Sequence, residues 1–152
     1  FMMKTVRALL TLSLVIFLTM ATHAQTQFVN PFEIKPPGYT HVVITGNTVY
    51  ISGQVPVDAQ GNAVGKGDFR AQVVQVYENL KKCLESAGVG FSDVVKMNTY
   101  VVNYKPEDVA VIREVRSQYL NMNQPPASTL AGVQALVNPD YRIEIEAIAV
   151  KK

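Results

Sequence analysis

The segment Tyr141 to Val150 (YRIEIEAIAV) constrains the chain most. Its side chains alternate with a period of two, the signature of a strand whose faces meet different surroundings. Ile143, Ile145 and Ala147 make one face, which has to be buried. Arg142, Glu144 and Glu146 make the other. If that second face is covered as well, a carboxylate on it is costly unless paired or protonated. If it is solvated, the carboxylates are ordinary surface groups, and Arg142 can pair with Glu144 along the strand. A chain with such a strand needs further strands beside it and a layer to cover the apolar face.

Both are legible upstream. Tyr39–Thr45 and Thr48–Pro56 are β-rich runs joined through Gly46-Asn47, the mark of a hairpin. Asp58–Gly67 is rich in turn formers and reads as a loop. Asp68 is placed to cap a helix in which Phe69, Val73, Val76, Tyr77, Leu80, Leu84 and Ala87 recur at three- and four-residue steps, with Gly88 as the C-terminal stop. Val94–Val102 (VVKMNTYVV) reads as a strand with Lys96, Asn98 and Tyr100 on one face and Val95, Met97, Thr99 and Val101 on the other. Pro106 opens a second helix, with Glu107 and Asp108 in its first turn and Val109, Ile112, Val115 and Tyr119 as its buried stripe. Pro125-Pro126 stops any helix, a strand follows from about Ser128 to Leu136, and Asn138-Pro139-Asp140 turns the chain into the final strand. The order β-β-α-β-α-β-β specifies an α+β fold: one mixed sheet with both helices on one face. The other face is left for water or for another subunit.

The first 24 residues stand apart. Lys4 and Arg7 precede an apolar run from Leu9 to Met20, and Ala21-Thr22-His23-Ala24 follows with small residues. That order is a secretory signal peptide cleaved after Ala24; the apolar run is too short for the roughly 20 residues that span a bilayer. The expected layout is therefore a signal peptide at 1–24, a proline-containing lead-in at 25–38 and one domain at 39–152, exported to the periplasm or beyond and free of the membrane after cleavage. Of 14 Lys and Arg, Lys4 and Arg7 leave with the signal, so 12 basic residues face 12 acidic ones. A neutral domain without a basic run is a poor nucleic-acid binder, since such binding rests on phosphate neutralisation. Cys83 is the single cysteine, so no internal disulfide forms, and without a nearby histidine to activate it, it reads as a packed small hydrophobe. One histidine, His41, remains after cleavage. It is a candidate general base, although a lone histidine on a strand is more often a surface or interface residue. No metal-ligand cluster, phosphate loop or dinucleotide fingerprint occurs, and no cofactor is expected.

Tyr50-Ile51-Ser52-Gly53-Gln54-Val55-Pro56, Glu78-Asn79-Leu80, Asp93-Val94-Val95-Lys96, Pro126-Ala127 and Ile143–Val150 together resemble the Rid family of reactive-intermediate (enamine/imine) deaminases, also labelled the L-PSP endoribonuclease family. The resemblance runs from about Tyr39 to the C-terminus. It implies a chorismate-mutase-like fold and a homotrimer with small-molecule clefts between adjacent subunits. It further implies that Glu144 and the backbone carbonyl of Leu130 position an attacking water, and that Tyr39 and Gly53 line the cleft; the hydroxyls of Ser128 and Thr129 are able to line it too and donate to a neutral ligand. In the family pattern an arginine follows the Pro-Ala pair and clamps the substrate carboxylate; this chain has Ser128 there. A guanidinium offers paired charge-assisted bonds that a hydroxyl does not, each contributing roughly 1.5–3 kcal/mol. Even about 3 kcal/mol is on the order of a hundredfold in affinity. Two expectations follow: hydrolysis of an imine or enamine with Glu144 orienting water, or a non-catalytic small-ligand-binding or interaction trimer. Ribonuclease activity ranks behind both, given the neutral charge and single histidine.

Overall fold

The computed structural model describes residues 25–152, so the expected signal peptide lies outside the described residues. Six strands form one sheet: β1 (Gln27–Val29), β2 (Val42–Thr45), β3 (Thr48–Gln54), β4 (Val94–Val102), β5 (Ala127–Val133) and β6 (Ile143–Val150). Their spatial order is β1-β2-β3-β6-β4-β5. Helix α1 (Phe69–Ser86) links β3 to β4 through a short 3-10 turn, and α2 (Asp108–Arg116) links β4 to β5. Only β4 and β5 run parallel, as a strand–helix–strand crossover requires. The last strand in sequence is thus central, hydrogen-bonded to β3 and β4.

The expected elements are present, with shifted ends. Asp68 accepts from the Ala71 N–H (3.0 Å) at the start of α1. At its end Gly88 takes φ +73°, and Gly88 and Val89 donate to the carbonyls of Glu85 and Leu84, closing the helix with a left-handed glycine. Gly46 takes φ +59° between β2 and β3, the value required at the first position of a II′-type hairpin turn. β5 stops at Val133 rather than Leu136 because its partner β4 runs out at Val102, opposite Val133. Val95 leaves the face expected for it: the register slips between Val94 and Lys96, turning Val95 outward to 47% exposure while Val94 enters the core. The lead-in carries an unexpected element, since Gln27–Val29 pairs with Val42–Ile44 as an edge strand. Three residues hold too little pattern to announce a strand.

One core lies between the helices and the sheet. Ile143, Ile145 and Ala149 are fully buried and Ala147 nearly so, against Val73, Val76, Leu80 and Leu84 of α1. Helix α1 also buries two amides that periodicity does not single out. Gln72 donates to the carbonyls of Gly65 and Asp140 and accepts from the Arg142 N–H. Asn79 donates to the carbonyls of Val55 and Val57. These bonds hold the loops at the ends of β3 and β6 against the helix. Across the sheet, the face away from the helices is uncovered, with Tyr50 46% exposed.

Gln72→Leu is expected to lower stability by about 3 kcal/mol. It keeps the volume but leaves the Asp140 carbonyl and Arg142 amide without their partner, at roughly 1–3 kcal/mol each. Urea unfolding followed by circular dichroism measures the loss; a change within experimental error would show that water replaces the amide.

Candidate functional site

The site begins with a register fault. Ile51 pairs with Ala147 and Gln54 with Ile145, so Ser52 and Gly53 together stand opposite one residue of β6. Such a bulge bends the strand and re-aims its neighbours. Here it opens space beside Glu144. A Cβ added to Gly53 would fall within the Glu144 carboxylate, 2.6 Å from its Cδ. Glycine at 53 is therefore set by close approach; its φ is not left-handed.

Glu144 is half-buried on β6, and its pKa is raised, first by burial and then by the charge of Glu146. Glu146 is held differently. Its Oε1 accepts from Asn98 Nδ2 (2.7 Å) and from the Tyr100 hydroxyl (3.0 Å). Two carboxylates on one face thus have separate fates: one is bound into a polar ladder across β4, the other has no hydrogen-bond donor among the described residues. Tyr39 stands on the other side of the bulge. Its pKa is raised by burial and next by the nearby Glu144 charge.

Tyr39 packs edge-on against His41, ring centroids 5.3 Å apart, and Phe32 packs on the same imidazole at 4.7 Å. Gln54 Nε2 lies 3.3 Å from His41 Nδ1. With the amide donating, Nδ1 is an unprotonated acceptor, in keeping with a pKa lowered by burial. His41 is accordingly a neutral, wedged ring that shapes the wall. That wall encloses a groove of about 270 Å³, lined by Phe32, Tyr39, His41, Gly53, Val57 and Tyr141 among others. The proline-containing lead-in therefore builds one side of it, a role without a sequence signal.

The other expected residues lie elsewhere in the chain. Ser128, Thr129 and Leu130 are on the edge strand β5, separated from β6 by β4. Ser128 and Leu130 stand beside Met97 and Thr99 on the helix side of the sheet; Thr129 is on the opposite face and accepts from Lys96 Nζ (2.8 Å). Two strand spacings amount to roughly 10 Å, so one chain does not bring Glu144 and Ser128 together. Tyr39, Gly53 and Glu144 are brought near one another, while the three expected residues of β5 lie apart from them.

Arg142 does not stand in for the missing arginine. It pairs with the buried Asp108 carboxylate (2.9 Å) and lies over the Phe69 ring, 4.4 Å from its centroid. The side chain is spent on joining β6 to both helices, and Asp108 does more than complement a helix dipole. Cys83 is buried, with its thiol pushed up to about 12 by desolvation, the state of an inert packed cysteine. Among the described residues no group of three or more His, Cys, Asp or Glu is placed to hold a metal ion.

The fold is that of a known class. The family model described as Endoribonuclease L-PSP matches residues 33–151. The chain belongs to that family, and the Rid resemblance carried by its motifs is met by its relatives. It is 36% identical over 119 residues to a RutC family protein of Pyrococcus abyssi, covering 78% of this chain and 91% of the relative. To a protein of Dermatophagoides farinae named 2-iminobutanoate/2-iminopropanoate deaminase it is 36% identical over 121 residues, covering 79% and 91%. The crystal structure of RidA from an Antarctic Psychrobacter superposes with a TM-score of 0.71 at 34% identity, covering 86% of this chain and 99% of that one.

Glu144 has a pKa above its ordinary value in the folded protein, so the folded state holds its proton more tightly than the unfolded chain. Its contribution to stability is most favourable below the ordinary glutamate pKa and declines as pH rises through the raised one. Glu144→Gln is therefore expected to be more stable than the parent at neutral pH, with the difference shrinking in acid. Thermal unfolding across pH 4–8 reads this; a pH-independent difference would count against desolvation as the cause. Gly53→Ala is expected to displace the carboxylate and to lose roughly 1–3 kcal/mol from overpacking, measured by denaturant unfolding. The double variant Gly53→Ala with Glu144→Gly should recover most of that loss.

Proposed function

We propose that the protein hydrolyses small imines or enamines in clefts formed between copies of the chain in a homotrimer. The observation that carries this reading is Glu144, desolvated, without a donor among the described residues and held against the Gly53 bulge. A desolvated carboxylate with a raised pKa holds a proton more strongly than an exposed one, which suits it to accept a proton in a reaction. In the proposed reaction Glu144 orients a water and accepts one of its protons as oxygen bonds to the imine carbon. That proton goes to nitrogen, giving a carbinolamine; Glu144 then takes the hydroxyl proton and passes it to the same nitrogen, the carbon–nitrogen bond breaks as the carbonyl forms, and a carbonyl compound and ammonia leave. No cofactor enters the balance. Tyr39 and Gly53 line the cleft from one copy; Ser128, Thr129 and the Leu130 carbonyl complete it from another. The split placement of these residues within one chain supports that assembly, and relatives named for imine deamination support the reaction.

The alternative is a non-catalytic trimer that binds a small ligand. Ser128 favours it, because a neutral hydroxyl at the edge of β5 is a weak carboxylate clamp. From the basic, apolar and small residues of 1–24 we also infer export, which would set the substrate apart from imines made in the cytoplasm.

Imines generated in place by an amino-acid oxidase provide the test. The purified protein is expected to speed ammonia release, and Glu144→Gln to reduce that gain at least about a hundredfold, the lower range for losing a general base. Ligand-induced thermal stabilisation without turnover of any imine would transfer support to the binding-only reading. Sedimentation equilibrium checks the trimer independently.

A further inference from the structure

The groove walled by the lead-in extends beyond the surroundings of Glu144. Tyr39 and Gly53, the residues next to that carboxylate, line it, and so do Phe32 and Ile34 of the lead-in, Val57 of the loop after β3 and Val137 of the loop before β6. Ile34, Tyr39 and Val137 are 56%, 53% and 88% exposed, and all three meet at this one concavity. Single apolar side chains in water are ordinary, whereas several gathered around one cleft mark a binding surface. The charge of the groove is one-sided. None of its lining side chains is Lys or Arg; Lys82 stands over Phe32 (4.9 Å to the ring centroid) and opens into a separate concavity with Lys81 and Gln75. Its one carboxylate, Asp58, accepts from the Gln60 and Asn62 amides (2.9 and 2.8 Å) and from Asn62 Nδ2 (3.1 Å). Bonding by Asn62, first through its backbone amide, lowers the Asp58 pKa and keeps it an anion that repels another. The neutral amides are engaged as well: Gln54 donates to the Ser52 carbonyl and His41, and Asn79 to the carbonyls of Val55 and Val57.

We infer that this groove selects the substrate by its side chain, taking an aryl or branched alkyl group and turning away short and anionic ones, with Ile34, Val57 and Val137 setting the preference. That the ligand is a substrate rests on hydrolysis at Glu144; its chemical class rests on the groove alone. A volume of about 270 Å³ falls just below the roughly 300–1,000 Å³ of pockets for drug-sized ligands, which leaves room for one ring or a branched chain. Release of water from an apolar wall contributes in proportion to the area covered, so a methyl group gains little where a ring gains much. An anionic tail would give up its hydration for a wall that holds no cation and would face Asp58.

Phenylacetamide, acetamide and succinamate share a neutral amide head and differ in the tail: aryl, methyl and anionic. Each is titrated into the purified protein and followed by amide chemical shifts. Phenylacetamide is expected to saturate, with shifts at Gly53, Val57 and Val137, and to bind at least about tenfold more tightly than acetamide, the lower range for burying a ring. Succinamate should bind no better than acetamide. Ile34→Ser and Val137→Asp change exposed side chains, so both variants should fold, and each should weaken phenylacetamide about tenfold. In the ammonia assay the imine made from phenylalanine should have a kcat/KM at least about tenfold above those made from alanine and glutamate. Val137→Asp should narrow that ratio. Absence of saturable phenylacetamide binding, equal binding of the three amides, or binding indifferent to both variants overturns the inference. So does a Val137→Asp protein that loses its assembly in sedimentation, because the patch would then serve subunit packing. If no imine is converted while phenylacetamide binds as expected, hydrolysis at Glu144 fails and the ligand class stands. Conversion of all three imines without preference leaves hydrolysis standing and overturns the selection.

Discussion

Burial of one face of β6 is the constraint on which the rest depends. Ile143, Ile145, Ala147 and Ala149 lie against α1 while the same strand is hydrogen-bonded on both edges, to β3 and to β4. Because strand side chains alternate, fixing this face fixes the other: Glu144, Glu146 and Ile148 have to emerge on the side away from the helices. A one-residue slip would drive two glutamates into the core, so the register is strongly specified. The strand that closes the sheet is also the last made. Its central place depends on contacts distant in sequence, which makes the topology slow to form relative to helical folds of the same size.

The bulge in β3 turns that rigid frame into a candidate site. Without the extra residue at Ser52-Gly53, β3 would pair with β6 evenly and a side chain would occupy the space taken by Glu144. The carboxylate pays for this position in desolvation, as its raised pKa records. Glu146, two residues away, is spared by Asn98 and Tyr100, which satisfy it across the sheet. Identical residues on one face thus differ because Tyr100, opposite Glu144 in register, turns its hydroxyl to Glu146. That division is what a reactive carboxylate needs and what a purely structural pair would avoid.

Around this core the chain uses buried amides and one ion pair to seat its loops. Gln72 and Asn79 gather the segments after β3 and before β6, and Arg142 joins Asp108 and Phe69. Such contacts carry no periodic signature. Arg142 illustrates the limit: its alternation with Glu144 suggests a pair along the strand, yet it precedes the first ladder residue and its guanidinium turns to the helix layer. His41 is similar. A lone histidine in sequence invites a catalytic role, whereas Phe32, Tyr39 and Gln54 hold it as a neutral part of a wall.

The sequence by itself determined the helices, the five longer strands and, apart from Val95, their faces, because hydrophobic period, the Asp68 cap, Gly88 and the Gly46-Asn47 turn act locally. It also singled out Glu144 and Gly53 through motif resemblance, and Ser128 as a departure from that pattern. Only the tertiary structure decided that Gly53 meets Glu144, that the lead-in supplies an edge strand and a groove wall, and that Ser128 lies two strands from Glu144 beside Arg113 and Arg116. The reason is the range of the forces involved. Caps, turns and periodicity are written within a few residues, whereas bulges, cavities and desolvated charges arise where segments distant in the chain are pressed together.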